Sequence, residues 1–311
     1  MKKLLIALVS LVILFLASVY LLIPSSIVVS KVEYVSSYQD GMIRFFKDGD
    51  RIKKWWKTFG TIHDSVFSYN GYDYTINKNL NNLISINIHS GNNEFKTMLV
   101  LLAIEKDSSA FHWETTIDAG INPITRILEY TSAKKLKENM SQVSYHLKNF
   151  LDKNENIYDI KVEEVNLKDS LLISTKTILS DYPTTPRIYQ EVEKLKQYIH
   201  SLNGDVTDSA MLHIEQKDAK HYELMVGLPV NKVVPETKDI SIKKMPFGKS
   251  MFITNIKGGI NTVEKAMEQL KIYQMDTQRA SPAIPYEMMI TNRLQETDTT
   301  KWITRLYFPV M

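Results

Sequence analysis

The sequence predicts an α+β protein: an N-terminal transmembrane helix, then two domains that mix antiparallel strands with helices. Three observations predict it. Residues 4–23, LLIALVSLVILFLASVYLLI, run without a charge. The first half of the remainder carries alternating strand-like segments and closes on one long stretch with apolar residues at helical spacing. The second half runs twice through strand, strand, helix, strand, strand.

The apolar run comes first. A helix of twenty residues rises about 30 Å, enough to cross the hydrocarbon core of a bilayer. The alternative is a cleaved signal peptide, whose apolar region usually spans roughly 7–15 residues; this run is longer and lacks a clean A-x-A site. Residues 1–25 are therefore expected to be a membrane anchor contacting lipid through 4–23. Lys2 and Lys3 before the span favour a cytoplasmic N-terminus and extracytoplasmic domains, although Lys31 lies close on the other flank.

Composition narrows the function. A length of 311 residues fits two domains of ordinary size, and 44% apolar with 23% charged residues is ordinary for a globular chain. A net charge of +3 is too small to imply a nucleic-acid partner. There is no cysteine, which excludes disulfides, zinc–thiolate sites and thiol nucleophiles. The seven histidines are scattered without H-E-x-x-H spacing, and no G-x-S-x-G, Walker or G-x-G-x-x-G motif occurs. No metal, no cofactor and no catalytic residue is assigned. The Gly258-Gly259 pair fits a turn better than a phosphate cradle.

The first domain is expected over 26–153. IVVSKVEYV reads as a strand, and YQDGMIRFFKDGDRIKKWWKTF as a helical stretch. Ile84, Ile86 and Ile88 alternate with Ser85, Asn87 and His89, the pattern of a half-buried strand. FKTMLVLLAIEK and SAFHWETTID add strands. From Pro123, which suits a first helical turn, a long helix places Ile124, Ile127, Leu128, Leu136, Met140, Val143, Leu147, Phe150 and Leu151 toward the core. Trp55 and Trp56, among Arg51, Lys53, Lys54 and Lys57, fit either a core contact at a helix end or a lipid-interface contact. The early strand, the helix ending in KKWW and the closing helix near NPITR resemble the START-like SRPBCC, or polyketide-cyclase-like, superfamily. That resemblance implies a helix-grip fold with a cavity for hydrophobic ligands between sheet and helix. It carries over no site residue.

Polar DKNENIYD, 152–159, marks the boundary, and the second domain is expected over 157–311. IKVEEVNLKDSLLISTKTI, the helix TPRIYQEVEKLKQYIHSLNG with Gly204 as its stop, DSAMLHIEQ and HYELMVGLPV form one unit. DISIKKMPFGKSMFITNIKG, the helix INTVEKAMEQLKIYQM, IPYEMMITNR and KWITRLYFPV form the other. KMPFGKSMFITNIKGGINTVEKAMEQL, PYEMMITN and ITRLYFPV resemble the GyrI-like small-molecule-binding fold, also found as the effector-binding domain of multidrug-sensing regulators. The resemblance implies a pseudo-twofold domain of two β-β-α-β-β-like repeats enclosing a groove.

It also implies that Glu287 is the pocket acid that faces a cationic ligand. Met289, on the same strand face, stands where the family has an aromatic residue, so an adaptable thioether replaces part of an aromatic cage. The alternatives for Glu287 are a cross-strand pair with Arg305 or a neighbouring lysine, or a position in solvent. Tyr189, Phe252, Tyr273, Trp302 and Tyr307 are candidate aromatic walls or core residues. Parity groups Trp302 with Thr304 and Leu306, and Ile303 with Arg305 and Tyr307. The expected function is a membrane-anchored, non-catalytic binding protein for hydrophobic small molecules, cationic ones included. The alternatives are a GyrI-like hydrolase using Glu287 as general base, or a scaffold for a protein partner.

Overall fold

The computed structural model of the chain describes residues 2–105, 108–166, 171–244 and 250–311. The MPFGK part of the second-domain motif, 245–249, lies outside these described residues, as do 167–170 and 106–107. The chain divides into two compact units, Met1–Ile157 and Tyr158–Met311. It is a mixed α+β structure with two antiparallel sheets.

The first unit begins with α1 (Lys2–Leu22), long and apolar enough to cross a membrane and exposed along nearly its whole length. β1 (Ser26–Val35) follows, then α2 (Gln39–Lys47) and α3 (Gly49–Trp56). The single helical stretch expected at 38–59 is thus two helices. Asp48 divides them: its backbone is extended and its carboxylate accepts from the amides of Asp50 and Arg51, capping α3. Six further strands, β2 (Thr61–His63), β3 (Val66–Tyr69), β4 (Tyr72–Leu80), β5 (Leu83–Ser90), β6 (Asn93–Glu105) and β7 (Ser108–Asp118), complete a sheet of order β1-β7-β6-β5-β4-β3-β2. Ile84, Ile86 and Ile88 are all buried on one face of β5.

The long helix α4 (Pro123–Leu151) starts on an Asn122 cap that accepts from the amides of Ile124 and Thr125. Its Leu136, Met140, Val143, Leu147, Phe150 and Leu151 are buried as the spacing predicts. Ile124 and Leu128 are not, at 69% and 64% exposure. The first turns of α4 lie beside the end of α1 instead: Tyr20 Oη donates to Ile121 O at 2.7 Å, and the Arg126 guanidinium sits 4.7 Å over the Tyr20 ring. A short α5 (Asn154–Tyr158) follows.

Aromatic rings fill the interior of this unit. Trp55 and Trp56 are both buried, 5.1 Å apart edge to face, with Phe45 against Trp55 and Phe67 and Tyr74 against Trp56. Of the two sequence alternatives, the core contact is the one seen. Gly60 permits the arrangement: a Cβ there would overlap the Trp56 indole and stand 2.7 Å from Ser68 O, the acceptor of the Trp56 Nε1–H. Gly60→Ala is expected to cost about 1–3 kcal/mol through this overpacking. Urea unfolding monitored by indole fluorescence checks it; an unshifted midpoint would mean the loop yields freely.

The second unit runs β8 (Glu163–Asn166), β9 (Leu171–Leu179), α6 (Thr185–Ser201), β10 (Met211–Gln216) and β11 (Tyr222–Val230). It then runs β12 (Ser241–Lys244), β13 (Ser250–Lys257), α7 (Ile260–Asp276), β14 (Tyr286–Met289) and β15 (Ile303–Val310). At the end of α6 the left-handed residue is Asn203 (φ 54°), one position before the expected glycine stop. Gly204 is needed for space, since a Cβ would press on the Ile199 side chain.

The sheet order is β12-β9-β11-β10-β14-β15-β13-β8. Each half therefore contributes its first strand to the other half's edge: β8 pairs with β13, and β12 with β9. Over their described residues both edge strands carry charges, EEVN and SIKK. Charged edges resist further strand addition. α6 packs on β9 and β11, and α7 on β13 and β15.

Strand parity sorts the rest. Ile173, Leu212, Leu224, Val226, Leu228 and Met289 meet Ile188, Val192, Leu195 and Ile199 of α6. Leu172, Met211, Met251, Ile253, Tyr286 and Met288 form a cluster on the opposite face.

Candidate functional site

The site lies where the two halves of the second sheet meet. β10 and β14 pair over only Met211↔Met288 and Leu212↔Glu287. Beyond that the strands part, and the His213 imidazole spans the gap, its Nδ1 2.8 Å from Pro285 O. The parting opens a groove of about 390 Å³ lined by Tyr182, Ile214, Tyr222, Glu264, Met267 and Glu287.

Register fixes which way Glu287 points. Its cross-strand partners are Leu212 on β10 and Leu306 on β15, both buried under the helices, so its carboxylate sits on the helix-bearing face. The expected strand of 283–293 is shorter, Tyr286–Met289, because the chain turns away into a loop that returns as β15. That loop supplies the partner of the acid. Arg293 Nη2 stands 3.6 Å from Glu287 Oε2, with side-chain exposures of 4% and 18%. Arg305 is not involved; it points to the other face, and its Nε donates to Asn255 Oδ1 at 2.8 Å.

Arg293 is held from several sides. Its Nη2 donates to Thr304 Oγ1 at 2.8 Å, its guanidinium lies 4.8 Å over the Trp302 ring, and its backbone N–H donates to Tyr189 Oη at 2.9 Å. Trp302 is fixed in turn, its indole N–H donating to Glu296 O at 2.8 Å. The Arg293 Nε is buried with no hydrogen-bond partner among the described residues.

Burial pushes the Glu287 carboxyl above the usual carboxylate range; Arg293 opposes this, and Glu264 adds to it. Burial likewise raises the Tyr182 hydroxyl, reinforced by Glu287 and then Glu264. Tyr182 stands edge to face with Tyr222, centroids 5.6 Å apart. The groove thus presents two carboxylates, one of them at its exposed rim, against one internal guanidinium, with three tyrosine rings alongside.

Of the six residues predicted from the sequence, Glu287, Trp302 and Tyr189 converge, the last two through Arg293. Met289 shares the Glu287 face but is buried in the core under α6. Phe252 is packed under α7 against Tyr273, centroids 4.9 Å apart, with the Arg279 guanidinium 5.1 Å over its ring. Tyr307 lies on the opposite face, stacked on Tyr286 at 4.7 Å with its hydroxyl 3.8 Å from Met288 Sδ. Tyr182, Tyr222, Glu264 and Arg293 were not identified from the sequence. Only Arg293 had a signal, as the basic residue closest after Glu287 in a polar turn sequence. Among the described residues no group of three or more His, Cys, Asp or Glu could hold a metal ion.

No protein-family model and no curated protein matches the chain. Among solved structures, the EcmrR C-terminal domain is similar over 49% of this chain and 98% of its own, at 19% identity and a TM-score of 0.40. A hydrolase from Listeria innocua is similar over 49% and 92%, at 8% identity and a TM-score of 0.38. The di-domain ARO/CYC BexL from the BE-7585A biosynthetic pathway is similar over 92% and 85%, at 9% identity and a TM-score of 0.30.

Proposed function

We propose that the second unit binds a small apolar cation without chemically altering it, and that α1 anchors the chain in a membrane with both units on the extracytoplasmic side. Lys2 and Lys3 ahead of the span support that orientation. The long helix α4 packed on a seven-stranded antiparallel sheet supports reading the first unit as START-like. The doubled β-β-α-β-β order supports reading the second as GyrI-like.

The observation that carries the ligand assignment is the charge balance at Glu287. Two carboxylates line a groove with a single arginine behind one of them, and its remaining walls are tyrosine rings, apolar side chains, His213 and Gln216. A ligand cation would restore neutrality and stack on Tyr182 or Tyr222, while its apolar body displaces water from Ile214 and Met267. The 3.6 Å separation of Arg293 from Glu287 leaves the carboxylate available to a closer, charge-assisted contact.

Tetraphenylphosphonium, with the isosteric anion tetraphenylborate as control, tests this by equilibrium dialysis against the purified full chain held in amphipol. The cation is expected to bind and the anion not. Glu287→Gln is expected to weaken cation binding about 10- to 100-fold, the range of a hydrogen bond to a charged group. Affinity should also fall with pH. The ionised carboxylate is the binding form, and its titration is raised, so the loss begins above the ordinary carboxylate range; Glu287→Gln should abolish this step. Equal binding of cation and anion, or an unchanged affinity in Glu287→Gln, would remove the assignment.

A further inference from the structure

The other face of the same sheet holds a second cavity, of about 240 Å³, whose walls include Leu172, Met211, Met225, Gly227, Met251 and Tyr286. Adjacent residues of β14 serve the two sides: Glu287 lines the groove under the helices, and Tyr286 lines this cavity. The two spaces approach each other at Leu212, His213 and Tyr286, where β10 and β14 part, yet their chemistry differs. Among the described residues this one is lined by no carboxylate and by three thioethers, side chains that adapt to flexible apolar ligands.

Its polar walls are Ser174, His213 and two cations, Lys243 and Lys244. In the pairing of β12 with β9, Lys243 stands opposite Leu172, so its side chain projects on the cavity face. Lys243 Nζ lies 3.2 Å from Met225 Sδ, a weak acceptor, and among the described residues no carboxylate pairs with it. The ammonium is therefore drawn across the apolar opening toward a cavity wall.

We propose that this cavity is a binding site for an unbranched carboxylate amphiphile, its alkyl tail among Met211, Met225, Met251 and Leu172 and its carboxylate on Lys243. The site is distinct from the cation groove and does not depend on Glu287. Gly227 provides the space: a Cβ there meets Met211 Cβ and Ile173 O at 3.8 and 3.9 Å, ordinary contacts, so a larger side chain can project into the cavity without forcing the strand apart.

The test follows the methionine methyl groups by NMR in the ¹³C-methyl-labelled full chain in nanodiscs, with empty nanodiscs to measure partitioning of the probes. Decanoate is expected to shift the Met211, Met225 and Met251 signals saturably. Gly227→Leu should weaken this by more than about tenfold while keeping the dispersed methyl spectrum of the folded chain, because the leucine occupies the tail site. Lys243→Gln should weaken decanoate about tenfold and leave decanol unchanged, the difference expected for loss of a charge-assisted contact. Glu287→Gln should leave decanoate binding intact, which separates this site from the groove. Undiminished binding to folded Gly227→Leu, or decyltrimethylammonium binding as tightly as decanoate, would overturn the proposal.

Discussion

Arg293→Ala is expected to unfold with a stability loss of about 3–5 kcal/mol at neutral pH, the usual cost of removing one member of a buried ion pair. For a unit of this size that corresponds to a drop in Tm of about 6–20 °C. The loss has three sources: the Glu287 carboxylate keeps its burial without a counter-charge, Thr304 Oγ1 loses its donor, and Trp302 loses the cation over its ring. Its pH dependence distinguishes the first source from simple loss of packing. Without Arg293 the folded-state titration of Glu287 rises further. A raised acid leaves stability intact below its unfolded pKa and removes it as pH rises through the folded one. The deficit should thus be small in acid and grow toward neutrality, and Arg293→Ala combined with Glu287→Gln should recover part of it. Thermal unfolding of both variants across pH 4–8 measures this; a pH-independent deficit would show that the carboxylate is not the cause.

Trp113→Ala is expected to cost the first unit about 3–5 kcal/mol, the range for deleting a buried large aromatic side chain. Trp113 is 2% exposed, and its indole N–H donates to Thr97 Oγ1 at 2.7 Å. The Thr97 hydroxyl passes the contact on to Ile86 O at 2.8 Å, so two side chains tie β5, β6 and β7 together through their buried face. Trp113→Phe keeps most of the volume and removes the donor, and about 1–2 kcal/mol is expected. Urea unfolding of wild type and the two variants checks the order; equal losses would mean that the hydrogen bond, and not the ring volume, dominates.

The sequence revealed elements whose physics is local and hid those whose physics is not. The period-two run Ile84, Ile86, Ile88 becomes a buried strand face because one residue per pleat meets the core whatever lies opposite. The spacing of Leu136 through Leu151 becomes the buried stripe of α4 for the same reason. β15 follows its parity as well: Thr304 and Leu306 are fully buried, while Arg305 and Tyr307 share the other face. Ile124 and Leu128 continue the apolar spacing of α4 yet stay exposed, since periodicity marks a face without saying how far the sheet extends beneath it. The candidate site was legible at Glu287 and, through their contacts with Arg293, at Trp302 and Tyr189. Tyr182 comes from a loop, Glu264 from α7 and Arg293 from the turn after β14, and no spacing rule relates positions that only the tertiary fold brings together.

The exchange of first strands between the halves of the second sheet has a consequence for how this unit comes into being. When β8 and β9 leave the ribosome, their lateral neighbours, β13 and β12, do not yet exist. The first half cannot finish its own edge by any local rearrangement, and closing the sheet requires a long loop to be tied first. Such non-local pairings slow the search for the native arrangement. Once made, they interlock the two halves, so that peeling either one away must break strands belonging to both.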